Sequence, residues 1–379
     1  MPRFAVGQLE QYVIAAFEAA GSSPREARVV GEHLINATLA GHDSHGVTRL
    51  PQYFNAIHTG AVALNMQPRI VSETCSTATL DGQSGFGQVI ANEAMALAIG
   101  KARACGVSTV AIRNSYHSGC IGNYAKSAAG AGMIGIIVVN AGGGGQSVAP
   151  FGGRERRLST NPLAVAVPSS NGYPLVLDIA TSVAPEGKIR AFYQTRQPVP
   201  PGWMTDSSGT PSTDARDFYE SAGALLPLGG AVGYKGFGLS FMIDILAGAL
   251  SGAGCCRLGA PEAKDGLLMI VIDIKWFAPL KTFYNHVATL VDHIKSCPPS
   301  PGFKEVFVPG ELEFREEKKR RREGIVLEEG VWREIREAVA SVGISAGPSE
   351  QLPAGSSLQH KRTTVRSARR SRGRSSIEA

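Results

Sequence analysis

The sequence predicts a globular protein that combines α-helices with β-strands, and three observations support this fold class. With 43% hydrophobic and 18% charged residues among 379, the chain can bury a core as two domains or as one elaborated domain. Near the N-terminus, Val6, Leu9 and Val13 recur at helical spacing and predict an amphipathic helix. Short segments rich in Val and Ile, such as "VSTVAIRNS" and "MIGIIVVNA", are typical of buried strands.

The second helix has recognisable start and stop signals. Ser23 supplies an N-cap oxygen, Pro24 occupies the first helical position, and Glu26 completes a capping box. Gly41 is a typical C-terminal stop, so residues 42–50 follow the end of this helix. Because a helix C-terminus carries partial negative charge, a protonated imidazole is expected just beyond it.

The remaining elements follow from the same periodicities. Helices are predicted over 85–104, 282–296 and 329–342, a turn and helix in 116–132, and strands over 107–115, 133–141, 161–170, 173–182 and 266–274. Residues 190–230 are rich in Gly, Pro, Ser and Asp, which predicts a long surface excursion. The apolar segment 237–254 is interrupted by Asp244 and is too short to span a bilayer comfortably, so a buried helix and no membrane association are predicted.

The positive charge of the chain is concentrated at its end. Formal net charge is +6, and residues 361–379 hold seven Lys/Arg and one Glu, so the rest of the chain is neutral by count. A nucleic-acid partner is therefore not expected. Residues 346–379 have few apolar side chains and are predicted to form a disordered basic tail. The absence of a secretory signal and of any disulfide framework predicts a cytoplasmic protein with reduced thiols.

A glycine-rich segment follows one of the predicted strands. "IIVVNAGGGG" could bring backbone amides to a pyrophosphate, as in Rossmann proteins. The fingerprint G-x-G-x-x-G is absent, however, the next residues do not open an amphipathic helix, and no acidic residue stands about 20 positions later. The sequence favours a plain loop over a standard dinucleotide-binding unit.

The segment "GHDSHGVTRL" concentrates the polar chemistry of the chain. A metal site would use His42, His45 and His117, but no ligand motif supports it, so no metal is expected. A Ser44 nucleophile activated by His45 is disfavoured, because adjacent side chains rarely face each other and no G-x-S-x-G elbow is present. Acid/base chemistry remains, since His45 or His117 titrates near neutrality and Arg49 offers a planar fork for a carboxylate or phosphate.

Two further segments combine glycine with charged residues. Lys235 in "GYKGFG" precedes a long apolar helix, where a cation and backbone amides could bind an anion together. A solvated lysine in a turn is an equally good interpretation. "VPGELE", residues 308–313, is a turn before a charged helix and by itself indicates no function.

Several motifs occur in the same chain order as in one protein family. They are "GHDSHGVTRLPQY", "YHSGCIGNYA", "VAPFGGRERRLSTNPLAVAVP", "LVLDIATSVAPEGKI", "PPGWMTDSSGTP", "LLPLGGAVGYKGFGLSFMIDILAGALSGAG" and "VPGELE". Over roughly residues 5–345 the chain resembles the malate/L-lactate dehydrogenase family. The resemblance implies an α+β, non-Rossmann NAD(P)-binding fold with a mixed, largely antiparallel sheet and helical flanking segments. It also implies a homodimer with the active site near the subunit contact.

The resemblance suggests a division of the chain. A helical segment, 1–75, would pack with 280–345 for substrate binding and dimerisation, and 76–279 would form the NAD(P)-binding domain. The implied reaction is hydride transfer between NAD or NADP and a small 2-hydroxy or 2-keto acid, with a histidine as base and Arg49 as the cation.

The resemblance also assigns roles to individual residues. Ser44 and His45 match a serine–histidine pair of the family, and His117 matches a histidine proposed as proton acceptor in some members. Arg49 and Thr160 match positions that hold the substrate carboxylate or touch the cofactor. The implied cofactor-binding residues are Gly119, Cys120, Ile121, Asp178, Ile179, Ala180, Thr181, Ser182, Lys235, Gly310, Glu311, Leu312 and Glu313.

Substrate and coenzyme stay open at this level. Lys188 stands where the cyclic imine reductases of the family have aspartate, which favours hydroxy acids over piperideine- or pyrroline-2-carboxylate. Arg154, Arg156 and Arg157 could meet the 2′-phosphate of NADP or form a solvated charge run. The alternatives to a hydroxy-acid dehydrogenase are a cyclic imine reductase and, from another class, a metal-dependent hydrolase.

Overall fold

The computed structural model describes residues 1–141, 143–260, 264–344 and 347–348. Its helices are α1 (Val6–Ala19), α2 (Pro24–Leu39), α3 (Leu50–His58), α4 (Gly87–Cys105), α5 (Gly122–Gly130), α6 (Glu186–Thr195), α7 (Ala215–Glu220), α8 (Tyr234–Ile243), α9 (Leu280–Lys295), α10 (Glu311–Glu323) and α11 (Glu329–Ala340). Its strands are β1 (Arg3–Phe4), β2 (Arg69–Glu73), β3 (Thr77–Asp81), β4 (Val107–Ser115), β5 (Met133–Asn140), β6 (Leu163–Val167), β7 (Leu175–Ile179), β8 (Met204–Thr205), β9 (Pro211–Ser212), β10 (Ala224–Leu225), β11 (Asp265–Asp273) and β12 (Ile325–Val326). The helices and strands predicted by periodicity all occur within a few residues of their predicted bounds.

The main sheet of the described chain has seven strands in the order β2-β3-β4-β11-β5-β6-β7. Every neighbouring pair is antiparallel except β3 and β4, which run parallel. The prediction of a mixed, largely antiparallel sheet is therefore confirmed, and the sheet differs from the mostly parallel one of doubly wound dinucleotide-binding folds. β11 lies between β4 and β5, so a strand from late in the sequence pairs with two early ones.

Two hydrophobic clusters form most of the core. α4 and α5 cover one face of the main sheet, where buried side chains such as Met95, Tyr124 and Ile137 meet. α1, α2 and α3 form a second cluster with β12 and α11, around the buried ring of Trp332. The N-terminal helices therefore pack against the C-terminal part of the described chain. The domain boundaries near residues 75 and 279 stay predictions, and β2, which precedes the first, is an edge strand of the main sheet.

The start of α2 follows only half of its predicted capping box. Ser23 Oγ accepts a hydrogen bond from the Glu26 amide at 3.3 Å, as predicted. The Glu26 carboxylate does not return to the Ser23 amide, because it accepts from Ser22 Oγ and from the Asn65 amide, each at 2.8 Å. The Ser23 amide donates instead to Asn65 Oδ1 at 2.6 Å. A tertiary contact has thus replaced the local one.

The segment 190–230 is more ordered than its composition suggests. β8, β9 and β10 form a small antiparallel sheet beside α6 and α7. Met204, Phe218 and Leu225 are buried in a hydrophobic cluster of their own. The prediction of a long surface excursion is wrong here, because apolar side chains from separate turns converge in space without any periodicity along the chain.

The apolar helix predicted as buried has one buried and one exposed side. α8 continues as a π-helix over Asp244–Ala249, and Ile243 and Ala247 pack on the sheet face opposite α4 and α5. On the other side, Phe241 is 50% exposed, Met242 53% and Leu250 60%. The prediction of full burial is wrong for the single chain, because the sheet can cover only one side of a helix that is apolar all round.

Two predictions concern a membrane-spanning helix and the C-terminal tail. No helix in the described ranges is both long and apolar enough to cross a bilayer. The predicted disordered basic tail, 346–379, lies outside the described residues except for positions 347 and 348.

Candidate active site

A cleft of about 1820 Å³ opens beside the connection between α2 and α3. This volume exceeds the roughly 300–1,000 Å³ typical of a single small-ligand site, so the cleft has room for a large cofactor together with a small substrate. Most of the predicted site residues lie on its walls. These are Ser44, His45, Arg49, His117, Gly119, Cys120, Ile121, Thr160, Asp178, Ile179, Ala180, Ser182, Leu312 and Glu313.

Ser44 and His45 lie in a 3₁₀ turn, Asp43–His45, directly after α2. Ser44 Oγ is 3.1 Å from His45 Nδ1, so the expectation that these adjacent side chains do not face each other is wrong. The next 3₁₀ turn, Val47–Arg49, is fixed to α2 through Thr38, whose Oγ1 accepts from the Val47 amide at 3.0 Å. A Cβ at Gly46 would lie only 2.1 Å from the same oxygen, so only glycine fits this close contact.

The imidazole rings of His45 and His117 stack against each other in the cleft, with an interplanar angle of 13°. Burial, followed by the positive charge of Arg49, holds the pKa of His45 well below its usual value. The same two causes lower the pKa of His117 to about 3. Both rings are therefore neutral at neutral pH. The expectation of a protonated imidazole beyond α2 is wrong, because desolvation and Arg49 outweigh the partial charge of the helix end.

A hydrogen-bonded chain lies behind His117 and contacts one of its ring nitrogens. Gln88 Nε2 donates to the Tyr53 hydroxyl at 2.7 Å, and that hydroxyl lies 2.8 Å from His117 Nδ1. The Tyr53 hydroxyl has one proton. Where Tyr53 donates it to Nδ1, neutral His117 carries its own proton on Nε2 and is a hydrogen-bond donor at that nitrogen.

Arg49 supplies a fixed cation beside the two histidines. Its Nε donates to the Ser44 carbonyl and its Nη1 to Gln52 Oε1, both at 2.5 Å. A Cβ at Gly187, at the start of α6, would lie 2.8 Å from Ser44 Cβ and 3.5 Å from Arg49 Nη2. The absence of a side chain at Gly187 therefore lets α6 pack close to Ser44 and Arg49.

The loop after β4 carries His117 and is anchored by a residue that the sequence analysis missed. Asp265 Oδ2 accepts from the Ser118 amide at 2.8 Å and from Ser118 Oγ at 2.7 Å. Burial raises the pKa of Asp265 to about 6. An acidic residue at the start of a strongly apolar strand is a sequence signal that could have identified it, since such a charge needs a partner when buried.

His33 is a second missed residue, and it orients the next part of the same loop. Its Nε2 accepts from the Cys120 amide at 3.0 Å, and its ring stacks on Tyr124 with centroids 5.3 Å apart. Burial lowers the pKa of His33 to about 3, so the ring is neutral. Gly119 has a φ of +71°, and a Cβ there would lie 2.5 Å from His33 Nε2. A histidine on the buried side of a helix gave no sequence signal of this contact.

Asp178, at the end of β7, connects the sheet to the start of α5. Its Oδ2 accepts from the Gly122 amide at 2.7 Å and from the Cys120 thiol at 3.3 Å. A Cβ at Gly122 would lie 2.8 Å from that oxygen. The first turn of α5 therefore lies directly against the carboxylate, and a side chain at position 122 would not fit.

Two predicted cofactor residues, Thr181 and Lys235, do not line the cleft of the described chain. Thr181 is 1% exposed, and its Oγ1 donates to the carbonyls of Thr160 and Asn161, each at 2.9 Å. Its side chain thus connects the segment after β7 to residues 160 and 161 from outside the cleft. Lys235 is exposed in the first turn of α8.

Gly310 and Glu311, at the start of α10, also lie away from the main cleft. The Glu311 carboxylate accepts from Lys295 Nζ at 2.7 Å and from Arg315 at 2.6 Å. These ion pairs lower the pKa of Glu311 against the effect of burial and fix α10 to α9. Glu311 therefore has a structural role. Leu312 and Glu313, the next residues of α10, line the cleft.

The three arginines considered for a 2′-phosphate do not line the cleft either. Arg156 donates to the carbonyls of Gly223 and Phe218, and its guanidinium lies 4.0 Å from the Phe218 ring centroid. Arg157 pairs with Glu155. In this segment the charges hold local structure together.

One group of possible metal ligands occurs within the described residues. It consists of His42, Cys120 and Asp178, whose ligand atoms all lie within 4.8 Å of one another. His45 and His117, which the metal-dependent hydrolase requires, do not belong to it. The structure therefore does not favour that alternative.

Comparisons with known proteins identify the family of the chain. The family model for malate/L-lactate dehydrogenase matches residues 4–336. The chain is 38% identical over 345 residues to a malate dehydrogenase of Pyrococcus abyssi, covering 89% of this chain and 94% of the relative. It is 37% identical over 361 residues to hydroxycarboxylate dehydrogenase B of Escherichia coli, covering 93% and 97%. The solved structure of malate dehydrogenase from Pyrococcus horikoshii superimposes with a TM-score of 0.83 at 36% identity, covering 91% and 96%.

The fold, the cleft and these relatives define a 2-hydroxy-acid dehydrogenase, an oxidoreductase that acts on a CH–OH group. The chain belongs to the malate/L-lactate dehydrogenase family, and membership implies a nicotinamide cofactor. The relatives favour hydroxy acids over cyclic imines.

Proposed function

We propose that the chain transfers a hydride between NAD or NADP and a small 2-hydroxy or 2-keto acid held between His45, His117 and Arg49. The observation that carries this proposal is a parallel pair of neutral imidazoles beside a fixed guanidinium. A 2-hydroxy carboxylate needs one group to take its hydroxyl proton and one cation for its carboxylate. The nicotinamide, when bound, accepts or supplies the hydride.

Arg49 binds the substrate carboxylate. Two of its nitrogens are held by the Ser44 carbonyl and Gln52, so the guanidinium plane is set before substrate arrives. A charge-assisted hydrogen bond of this kind contributes about 1.5–3 kcal/mol. The bound carboxylate also offsets the positive charge that lowers the pKa of both histidines, so we expect those pKa values to rise in the complex.

His45 and His117 have different roles at the C2 oxygen of the substrate. His117, with its proton on Nε2, donates a hydrogen bond to that oxygen and polarises it. His45 donates its Nδ1 proton to Ser44 Oγ, which leaves Nε2 as the base that takes the hydroxyl proton during oxidation. In the reverse direction His45 returns the proton to the oxygen.

The cofactor lies along the wall formed by residues 119–122 and the end of β7. Two features of this wall fit a dinucleotide: it carries most of the predicted cofactor residues, and the cleft is large. Asp178, Ile179, Ala180 and Ser182 contact it from the sheet, and Leu312 and Glu313 from α10. Thr181, Lys235, Gly310 and Glu311 would then act on the cofactor only indirectly or from a partner subunit.

The chain forms a homodimer through the exposed side of α8 and the following π-helix. Phe241, Met242 and Leu250 are each at least half exposed there. Contiguous exposed apolar side chains on one helix are typical of a protein–protein interface. This face also carries Lys235 and so joins the interface to a predicted cofactor residue.

A coenzyme-by-substrate assay tests the function. Purified protein is mixed with NADH or NADPH and a panel containing pyruvate, oxaloacetate, a sulfonated 2-keto acid and a cyclic imine carboxylate, and coenzyme oxidation is followed by absorbance. We expect turnover of at least one 2-keto acid and a clear preference for one coenzyme. Turnover of the imine alone would replace the proposed substrate class, and no turnover of any substrate would contradict the proposal.

A further inference from the structure

A small cavity of about 90 Å³ lies beside the main cleft, between α5, β7 and α10. We call it the lateral cavity. Its lining includes His42, Cys120, Lys126, Asp178, Glu313 and Glu317. His42, Cys120 and Asp178 also line the main cleft, so they separate the two spaces. The catalytic arrangement described above uses neither the imidazole of His42 nor the thiol of Cys120.

These three side chains bring one nitrogen, one sulfur and one oxygen ligand together. The Cys120 sulfur lies 3.3 Å from Asp178 Oδ2, and all three ligand atoms lie within 4.8 Å of one another. A fourth ligand is close, since Glu313 Oε1 is 4.0 Å from His42 Nε2. Tetrahedral Zn²⁺, with bonds of about 2.0–2.3 Å, needs ligand atoms separated by roughly 3.3–3.8 Å. A contraction of about 1.5 Å or less would complete such a site, and His42, which is 30% exposed, can move.

We propose that His42, Cys120 and Asp178 bind one thiophilic divalent cation, with Zn²⁺ as the best match, and that the bound cation blocks the cofactor. The ligand types select the ion, because thiolate and imidazole favour Zn²⁺ over Mg²⁺ or Ca²⁺. The charges around the lateral cavity agree, since its described lining includes the carboxylates of Asp178, Glu313 and Glu317 and the ammonium of Lys126. Binding replaces the S–H bond of Cys120 by a sulfur–metal bond and releases the proton to solvent, with no change of oxidation state.

The blocking effect follows from position and rests on the proposed function. The 119–122 loop and Asp178 form the wall along which we place the cofactor. A cation held by Cys120 and Asp178 would compete for the same carboxylate and draw His42 across the opening. Zn²⁺ would therefore act as a competitive inhibitor against NAD(P)H, whereas the 2-keto acid, placed beside Arg49, would be displaced only indirectly.

Binding is tested directly with Co²⁺, whose thiolate complexes give a sulfur-to-metal charge-transfer band in the near ultraviolet. Coenzyme-free protein is titrated with Co²⁺ as wild type and as Cys120→Ser, Asp178→Asn and His42→Ala variants. Cys297→Ser is the matched control, because Cys297 is an exposed cysteine outside the lateral cavity. Thermal unfolding of each variant checks that it is folded.

We expect the band to saturate at one Co²⁺ per chain in wild type and in Cys297→Ser, and to be lost in Cys120→Ser. Asp178→Asn and His42→Ala should weaken Co²⁺ binding at least tenfold. A wild type without the band, or a band that survives in Cys120→Ser, would overturn the cation site. This readout needs no turnover, so it is independent of the proposed function.

The competition is tested by adding NADH or NADPH to the Co²⁺-loaded wild type. Loss of the band as the coenzyme binds, together with a Zn²⁺-dependent rise in its apparent KM, would support a shared wall. A band unchanged at saturating coenzyme would overturn the blocking effect while the cation site stands.

Discussion

The rings of His45 and His117 lie nearly parallel with centroids 5.6 Å apart, yet each has a different partner behind it. Ser44 Oγ is next to Nδ1 of His45, and the Tyr53 hydroxyl is next to Nδ1 of His117. The partner of one ring nitrogen decides whether the other donates or accepts a proton. The two similar rings in one cleft can therefore have different roles in proton transfer.

Substitution of the two histidines separates these roles. We expect His45→Gln to lower kcat by about 10²–10⁴-fold, the usual contribution of a general acid or base. His117→Gln keeps an N–H donor and should lower kcat only by about tenfold, the effect of a distorted hydrogen bond. Steady-state rates with the best 2-keto acid measure both. A larger loss in His117→Gln than in His45→Gln would reverse the assignment.

Removal of the Tyr53 hydroxyl tests the tautomer. Tyr53→Phe takes away the proton that occupies His117 Nδ1, so the ring can place its own proton on either nitrogen. We expect kcat to fall by about tenfold, with the KM for coenzyme unchanged, and the acid limb of the pH–rate profile to move. Tyr193→Phe, on an exposed hydroxyl of α6, serves as control. A uniform loss with an unaltered pH profile would indicate only a structural role.

Substitution of Arg49 tests carboxylate binding. Arg49→Gln should raise the KM for the 2-keto acid by about 10–100-fold, corresponding to a lost charge-assisted hydrogen bond of roughly 1.5–3 kcal/mol. It should also raise the pKa of His45 and His117, because Arg49 is the largest charge that lowers them. Kinetics across pH measure both effects. An unchanged KM for a carboxylate substrate would contradict the proposed contact.

Stability should fall steeply in mild acid. Burial lowers the pKa of His33 and His117 to about 3, below the usual value of 6.5, so the unfolded chain binds protons that the folded chain excludes. The contribution of these two histidines to the free energy of unfolding is therefore most favourable above pH 6.5. It decreases as pH falls toward 3, by up to about 1.4 kcal/mol per pH unit for each histidine. Urea unfolding across this range measures the slope. His33→Gln should make the slope shallower, whereas replacement of exposed His58 should leave it unchanged.

A charge on the exposed side of α8 should prevent dimerisation. Met242→Glu places a carboxylate in the proposed interface, where its desolvation disfavours association. We expect sedimentation velocity to show a dimer for wild type and a monomer for this variant. Leu258→Glu is the matched control, since Leu258 is 75% exposed but lies after the π-helix. A wild-type monomer would contradict the proposed dimer.

The sequence predicted the parts of the site that are local. Ser44, His45 and Arg49 occur within one short segment, and their types and spacing already point to acid/base and anion chemistry. The supporting contacts are long-range: Tyr53 and His117 are separated by 64 positions, Cys120 and His33 by 87, and Ser118 and Asp265 by 147. No pattern within a window can reveal such pairs.

The predictions that were wrong have the same origin. An imidazole beyond α2 was expected to be protonated because of the nearby helix end alone. That expectation left out desolvation by the rest of the cleft. The helix after Gly236 was expected to be buried because its composition is apolar, but burial also depends on how much surface the neighbouring elements offer. In residues 190–230, a small hydrophobic core forms from several turns, although the sequence of each turn is mostly polar. In the main sheet, β4, β5, β6, β7 and β11 carry an apolar pattern of their own and were predicted, whereas β2 and β3 were not.

The position of β11 has a consequence for how the chain is made. β4 and β5 leave the ribosome early, but the strand that joins them is synthesised only after everything from Asn140 to Asp265. Until then two apolar strands keep unpaired edges, which are templates for pairing with other chains. Nascent chains stalled before Asp265 should therefore aggregate or bind chaperones, and release past Asp273 should close the sheet in one late step.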